Sequence, residues 1–322
     1  MNKQESQVLK GIAILMMIYL HAAVSDFWHL IRACDPVPFF LIISGYGLSL
    51  PNDNSLRRRL SRCLRLLNRY WVVLTVFLLV GLNVNPSAYF NNVLEVVFNY
   101  STWQTSYNGE CWFVFPYLCL LLISPYLESI IEKRNPIHVI LISLILYIGT
   151  LFCLKLWGTT IIYDNQLLFH IVRFIQFLLP FSLGSFAFSH QWFQWLSSKL
   201  RYQWLNLILL TIIVFFRCQI SFNYLDSFYA FGVISLYLSL RRYTLLDSAL
   251  LFLGRHSTNI WFVHSWFCFY LFREQFYSLG HPVLIYLSLV IASLLVSIIL
   301  DKIQKITLAG FTNLLALLKS LH

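Results

Sequence analysis

Charge is what this sequence has least of. Of 322 residues only 11% are Asp, Glu, Lys or Arg, against about a quarter in a soluble globular chain, while 59% are hydrophobic. So few charges cannot coat a water-exposed surface, and no stretch is polar enough to fold as a separate soluble domain. Acidic residues are scarcer still, 13 against 23 Lys and Arg, and they form no Asp/Glu cluster suited to a metal. Seven cysteines occur without a C-x-x-C pair or any Cys/His metal spacing. Most sit in apolar runs as small core residues, and only Cys34 and Cys111 are placed to face outward and pair. Also missing are G-x-S-x-G, H-E-x-x-H and a glycine-rich phosphate loop, so hydrolase, metalloenzyme and ATPase readings have no support, and no metal is expected.

What the sequence has instead is long apolar runs at short intervals. They imply an all-α polytopic membrane protein with about ten transmembrane helices, at about 9–25, 37–51, 70–84, 111–131, 137–157, 168–189, 202–217, 227–240, 258–273 and 282–301. The connections are short, so 1–322 is expected to form one membrane-embedded domain. Pro136 and Pro282 suit the first turns of their helices. The polar stretch 85–109 reads as a loop on the far side, with a re-entrant or interfacial helix near Ala88–Phe98. Ten Trp and a 17% aromatic share suit anchoring at the bilayer interface.

The net charge of +10 does not point to nucleic acid once the basic residues are placed on this topology. Of the 23 Lys and Arg, all but Arg32, Lys155, Arg173, Arg217 and Arg273 fall on the side of the N-terminus. The positive-inside rule then puts both termini in the cytoplasm and the chain in the inner (cytoplasmic) membrane. Membrane lipid is the first partner this implies.

Against this apolar background a few groups can do chemistry. Lys10 and His21 are eleven residues apart, three helical turns, so they share one face of the first span about 16 Å apart. Ionisable groups in a bilayer are costly, which favours function, and a histidine titrates near neutral pH; a histidine satisfied by a neighbouring helix would look the same. In the second span Ser44 and Gly45, followed by Gly47, permit close approach of another helix or of an extended ligand. Arg58, Arg62, Arg65 and Arg69 fall at steps of four, three and four on one face of an amphipathic, interfacial helix. Such a face can hold anionic lipid or a polyphosphate, or simply mark a cytoplasmic loop. His170, Arg173 and Gln176 recur every third residue in the sixth span. Glu110 opens the fourth span, and His264 lies in the ninth. If the helices converge, His21, Glu110 and His264 reach one level of the outer leaflet.

Taken in order, several segments resemble a known family. Leu9-Lys10-Gly11-Ile12 with His21, Phe39-Phe40 with Ser44-Gly45-Tyr46, and the arginine-rich segment ending in Arg69-Tyr70-Trp71 are similar to the acyltransferase 3 family of integral membrane acyltransferases. Glu110-Cys111-Trp112-Phe113 with Pro125, and Leu253-Gly254-Arg255-His256-Ser257 running on to Ile260-Trp261-Phe262-Val263-His264, extend the resemblance over most of the chain. It implies transfer of an acyl group, usually acetyl, from cytoplasmic acyl-CoA to a hydroxyl of an extracytoplasmic acceptor, such as a surface-polysaccharide sugar. His21 would be the catalytic residue, as general base or acyl relay. Lys10, Ser44, Gly45, Arg58, Arg62, Arg65 and Arg69 would bind the donor, with lysine at position 10 where the family usually has arginine. Glu110, Arg173 and His264 are candidates for contact with the acceptor. Acetyl-CoA enters as a substrate, with no permanently bound cofactor; the expected partners are lipid, acyl-CoA and a carbohydrate or glycolipid. Two other classes fit the same composition: a transporter or flippase for a lipid-linked sugar, and a non-catalytic component of a polysaccharide assembly complex.

Overall fold

The computed structural model describes residues 1–22, 35–49, 56–89, 92–133, 135–200, 202–219, 223–240 and 244–320. Cys34, and with it the pairing considered for Cys111, lies outside them. Among the described residues every regular element is helical. The first helices are α1 (Lys3–Ala22), α2 (Val37–Leu48), α3 (Leu56–Val84), α4 (Val93–Tyr100), α5 (Val114–Lys133), α6 (Pro136–Trp157) and α7 (Thr159–Asp164). There follow α8 (Gln166–Ser189), α9 (Trp192–Lys199), α10 (Gln203–Gln219), α11 (Asp226–Ser239), α12 (Thr244–Ser265), α13 (Arg273–Tyr277) and α14 (Pro282–Ser320). Among the described residues five stretches are long and apolar enough to cross a membrane: Leu56–Val84, Gly109–Ile131, Ile137–Trp157, Gln166–Ser189 and Pro282–Gly310. The chain is thus an all-α, multi-pass membrane protein.

The helix starts follow local chemistry. Asn92, Asn135 and Asn165 each cap a helix, accepting the N–H of Glu95 at 2.7 Å, Ile137 at 3.0 Å and Leu168 at 3.1 Å. Pro136 follows its cap at the first helical position.

Three elements differ from the sequence reading. The arginine-rich segment is not a separate interfacial helix, because it forms the first turns of α3, a single helix of 29 residues. No Gly or Pro interrupts the chain from Leu56 to Val80, so nothing terminates the helix before the apolar run. The stretch expected as one span at 258–273 begins in the middle of α12 and ends in a π-helical turn, Trp266–Tyr270. Finally, α14 runs 39 residues, well past position 301.

The helices gather into two compact units, one of Met1–Asn54 with Phe113–Arg255 and the other of Ser55–Trp112 with His256–His322. In the first, Leu9 and Ala13 of α1, Phe39, Ile42 and Tyr46 of α2, Leu179 and Leu183 of α8, and Ala230 and Ile234 of α11 form a hydrophobic core. Two glycine crossings set its geometry. A Cβ on Gly45 would strike the carbonyl of Phe181, and one on Gly184 would strike the carbonyl of Ile42, so α2 and α8 meet backbone to backbone. Gly11 and Gly254 do the same for α1 and α12: their missing Cβ atoms lie where the carbonyls of Leu250 and Gln7 sit.

The second unit is tied by amides instead. Asn259 and Gln304 exchange side-chain hydrogen bonds of 2.9 and 3.0 Å, and Asn68 donates to the Gln304 carbonyl at 3.1 Å. Both amides are held among apolar side chains, where every polar atom left unpaired is costly. Tyr70 donates to the Asn99 carbonyl at 2.8 Å and Trp71 to the Tyr100 carbonyl at 2.8 Å, which docks α4 on α3.

Candidate active site

In the first unit, α1 is continuous from Lys3 to Ala22, so Lys10 and His21 do lie on one helix and, by its period, one face. His21 falls in the last turn of α1. Both side chains are half-buried. On α2 the Ser44 hydroxyl and the Tyr117 hydroxyl of α5 are 2.8 Å apart and share a hydrogen bond. Gly45 has its Cβ side filled by α8, whereas nothing lies within 4 Å of a Cβ on Gly47. The two glycines that look alike in sequence therefore have different surroundings.

The periodic trio of α8 also divides. His170 is buried, its ring packed 4.4 Å from that of Phe115. Arg173 turns to Gln176, donating from Nη1 to Oε1 at 3.0 Å, and Gln176 donates in turn to Thr150 at 3.2 Å. The guanidinium also stacks over Phe169, 5.5 Å from the ring centroid.

Two acids of this unit, Asp35 and Asp226, escaped the sequence reading, and Arg217 entered it only as an outer-side charge. Arg217 near the end of α10 and Asp226 at the start of α11 form a buried ion pair, Nε to Oδ1, of 2.9 Å. The second oxygen of Asp226 accepts the backbone N–H of Asp35 at 3.1 Å, and Asp35 caps the Val37 N–H at 2.9 Å. One carboxylate thereby ties the α10–α11 pair to the entry of α2. Burial, reinforced by the nearby Asp226 charge, lifts the Asp35 carboxyl from 3.8 to about 6. The nine-residue spacing of Arg217 and Asp226, near the end of α10 and at the start of α11, was the available signal.

In the second unit the chain between α4 and α5 is knitted down residue by residue. Asn99 donates to Ser106 at 2.9 Å and accepts the Tyr107 N–H at 3.2 Å. Asn108, 2% exposed, donates to the Phe262 carbonyl at 2.8 Å and accepts from Ser265 at 2.8 Å. Trp261 Nε1 donates to the Glu110 carbonyl at 3.1 Å, and the Gly109 N–H donates to the Tyr270 hydroxyl at 2.9 Å. These bonds bring Glu110 and His264 together: a carboxylate oxygen of one lies within 4.8 Å of a ring nitrogen of the other. His264 is fully buried, with Nδ1 2.6 Å from the Trp261 carbonyl. A carbonyl only accepts, so Nδ1 carries a proton. Neither Asn99 nor Asn108 stands out in sequence, because asparagine near a loop is ordinary.

The basic segment of this unit keeps its expected pattern. Arg58, Arg62, Arg65 and Arg69 follow one another along a single stretch of α3, with Arg65 exposed and the other three half-buried. Arg59, which the stepping pattern leaves out, is the buried one at 2% exposed.

A family model described as an acyltransferase domain matches residues 4–302. The chain belongs to the acyltransferase 3 family. Comparison with curated proteins and with solved structures finds no match. Acyl transfer within a membrane is thus the activity class to which this acyltransferase's buried histidines, carboxylates and arginine face must be related.

Proposed function

We propose that this acyltransferase carries an acetyl group from cytoplasmic acetyl-CoA to a sugar hydroxyl, as found in a surface polysaccharide, on the outer side of the inner membrane. About ten spans and cytoplasmic termini belong to the same proposal. The observation that carries it is α1: one unbroken helix with an ammonium and an imidazole about 16 Å apart on one face, in a chain of an acyltransferase family. That distance is half the hydrocarbon thickness or more, which suits a donor and an acceptor arriving from opposite sides.

In the direct route His21 takes the proton of the acceptor hydroxyl as its oxygen attacks the thioester carbonyl. The C–S bond breaks, and the imidazolium returns the proton to the leaving CoA thiolate. In the relay route the imidazole attacks the thioester first, CoA leaves as the thiol, and the acceptor hydroxyl then attacks the acetyl-imidazole. Arg58, Arg62, Arg65 and Arg69 take the donor's phosphates, since guanidinium pairs with phosphate through two parallel hydrogen bonds. Lys10, Ser44 and the backbone at Gly45 contact the rest of the donor. Glu110, Arg173 and His264 contact the acceptor.

Mass spectrometry of envelope glycans from a deletion strain, and from the same strain with the gene restored, tests the reaction class. The proposal expects an acetyl group to vanish and return. Identical acetylation in both strains, with the protein present in the membrane of the second, contradicts it.

A further inference from the structure

In the second unit the turn that carries Glu110 is held by side-chain hydrogen bonds. Four hydrogen bonds link the turn 108–111 to the end of α12 and the π turn: Asn108 to the Phe262 carbonyl, Ser265 to Asn108, Trp261 to the Glu110 carbonyl, and Gly109 to Tyr270. Their partners Asn108, Trp261, Phe262 and Ser265 are all buried. The π turn itself, Trp266–Tyr270, widens the helix so that Tyr270 reaches the Gly109 N–H. The result is a carboxylate within 4.8 Å of a histidine ring nitrogen, with Cys111 and Cys268 buried nearby.

The tautomer of His264 narrows what this pair can do. Nδ1 is committed as a donor to the Trp261 carbonyl at 2.6 Å, and Trp261 is the residue whose indole holds the Glu110 backbone at 3.1 Å. One residue therefore fixes both members of the pair, the imidazole through its carbonyl and the Glu110 backbone through its indole. With Nδ1 occupied, Nε2 is the nitrogen that can gain or lose a proton. With a ring nitrogen and a carboxylate oxygen within 4.8 Å of each other, one proton can pass between imidazole and carboxylate directly or through a single bridging hydroxyl or water.

We infer that Trp261 and Asn108 are positioning residues that hold Glu110 and His264 as one proton-sharing pair used in acyl transfer. The inference rests on the proposed reaction, and it goes further by assigning the frame and the tautomer. Neither Trp261 nor Asn108 needs to touch a substrate. Their effect is on the alignment of the pair, and misplacing a reacting group by about 1 Å can cost on the order of a hundredfold in rate.

Two measurements test it. In detergent-purified protein labelled with 15N-histidine, the ring resonances of His264 are assigned by their loss in His264→Gln. The expected result is a protonated Nδ1 and an Nε2 shift that moves in Glu110→Gln and in Trp261→Phe. An Nε2 resonance unchanged by both substitutions overturns the pair, whatever the activity. In parallel, membranes are assayed for transfer of labelled acetyl from acetyl-CoA to envelope glycans. Trp261→Phe, which removes one N–H and keeps an aromatic ring, and Ser265→Ala, which removes one hydroxyl, should each lower kcat about tenfold with KM for acetyl-CoA unchanged. Asn108→Ala should lower it further; if that variant fails to fold, the two milder variants decide. Wild-type kcat in both overturns the positioning role. A wild-type protein inactive with acetyl-CoA but showing the expected Nε2 shifts would instead refute the proposed donor and leave the pair standing.

Discussion

Asp35 shows how one desolvated carboxyl makes the stability of the first unit depend on pH. Its carboxyl is desolvated at the entry of α2, faces Asp226 as a like charge, and is partly compensated by Arg173, Arg217 and the Val37 N–H. Tyr147 of α6 adjoins the same cluster. The folded carboxyl titrates at about 6 and the unperturbed one at 3.8. Between those values the folded state holds a proton that the unfolded chain has released. The group's contribution to stability is therefore present at low pH and is lost as pH rises through about 6. Asp35→Asn keeps an oxygen to cap Val37 but does not titrate. It should raise Tm by about 2–4 °C near pH 7.5 and leave it unchanged near pH 4, as read by thermal unfolding in detergent at both values. The sequence placed His21, Arg173, Glu110 and His264 as residues worth watching, because an ionisable group in an apolar run is conspicuous. It hid Asp35, Asp226, Asn99 and Asn108, because these stand in polar connections where such residues are common. Only the tertiary contacts distinguish a solvated loop asparagine from one bonded to a carbonyl and a hydroxyl inside the protein.

Among the elements, helices were legible where periodicity and breakers agreed. α6 starts at Pro136 after an asparagine cap, as its sequence implies. α3 was misjudged because a shift from amphipathic to apolar composition resembles a boundary, although no residue in the stretch stops a helix. Glycine roles were legible only in part. Gly45 and Gly47 look equivalent on α2, yet only Gly45 sits at a crossing. Gly149, in the exposed helix α6, likewise has nothing within 4 Å of a built Cβ. Gly184→Ala and Gly254→Ala should each lower stability by about 2 kcal/mol or more, since backbone must move to admit a methyl group. Gly149→Ala should raise it by roughly 0.5–1 kcal/mol, because alanine is the better helix former. Thermal unfolding of the three variants in one detergent gives the ranking, and equal effects would remove the crossings as the organising feature of the first unit.

For the whole molecule, composition alone established the solvent. A chain with 11% charged residues has to be a membrane protein, and the five long apolar helices agree. The family followed from motifs spread over most of the chain, and a family model spanning residues 4–302 bears it out. In the proposed function the arginine face of α3 takes the phosphates of the donor. Replacing Arg58, Arg62, Arg65 and Arg69 together with Gln should raise KM for acetyl-CoA at least about tenfold, with a smaller change in kcat. Dephospho-CoA thioester, lacking one phosphate, should lose most of its disadvantage in that variant. Initial-rate kinetics with the two donors would show it, and a KM unchanged for acetyl-CoA would leave the face to lipid alone.

The central claim is that His21 performs the transfer. Membranes containing wild-type protein or His21→Ala, matched for the amount inserted, are given labelled acetyl-CoA, and incorporation into envelope glycan is followed over time. The account predicts a rate at least about a thousandfold lower in His21→Ala, reflecting loss of the base or nucleophile. Incorporation at the wild-type rate would contradict it.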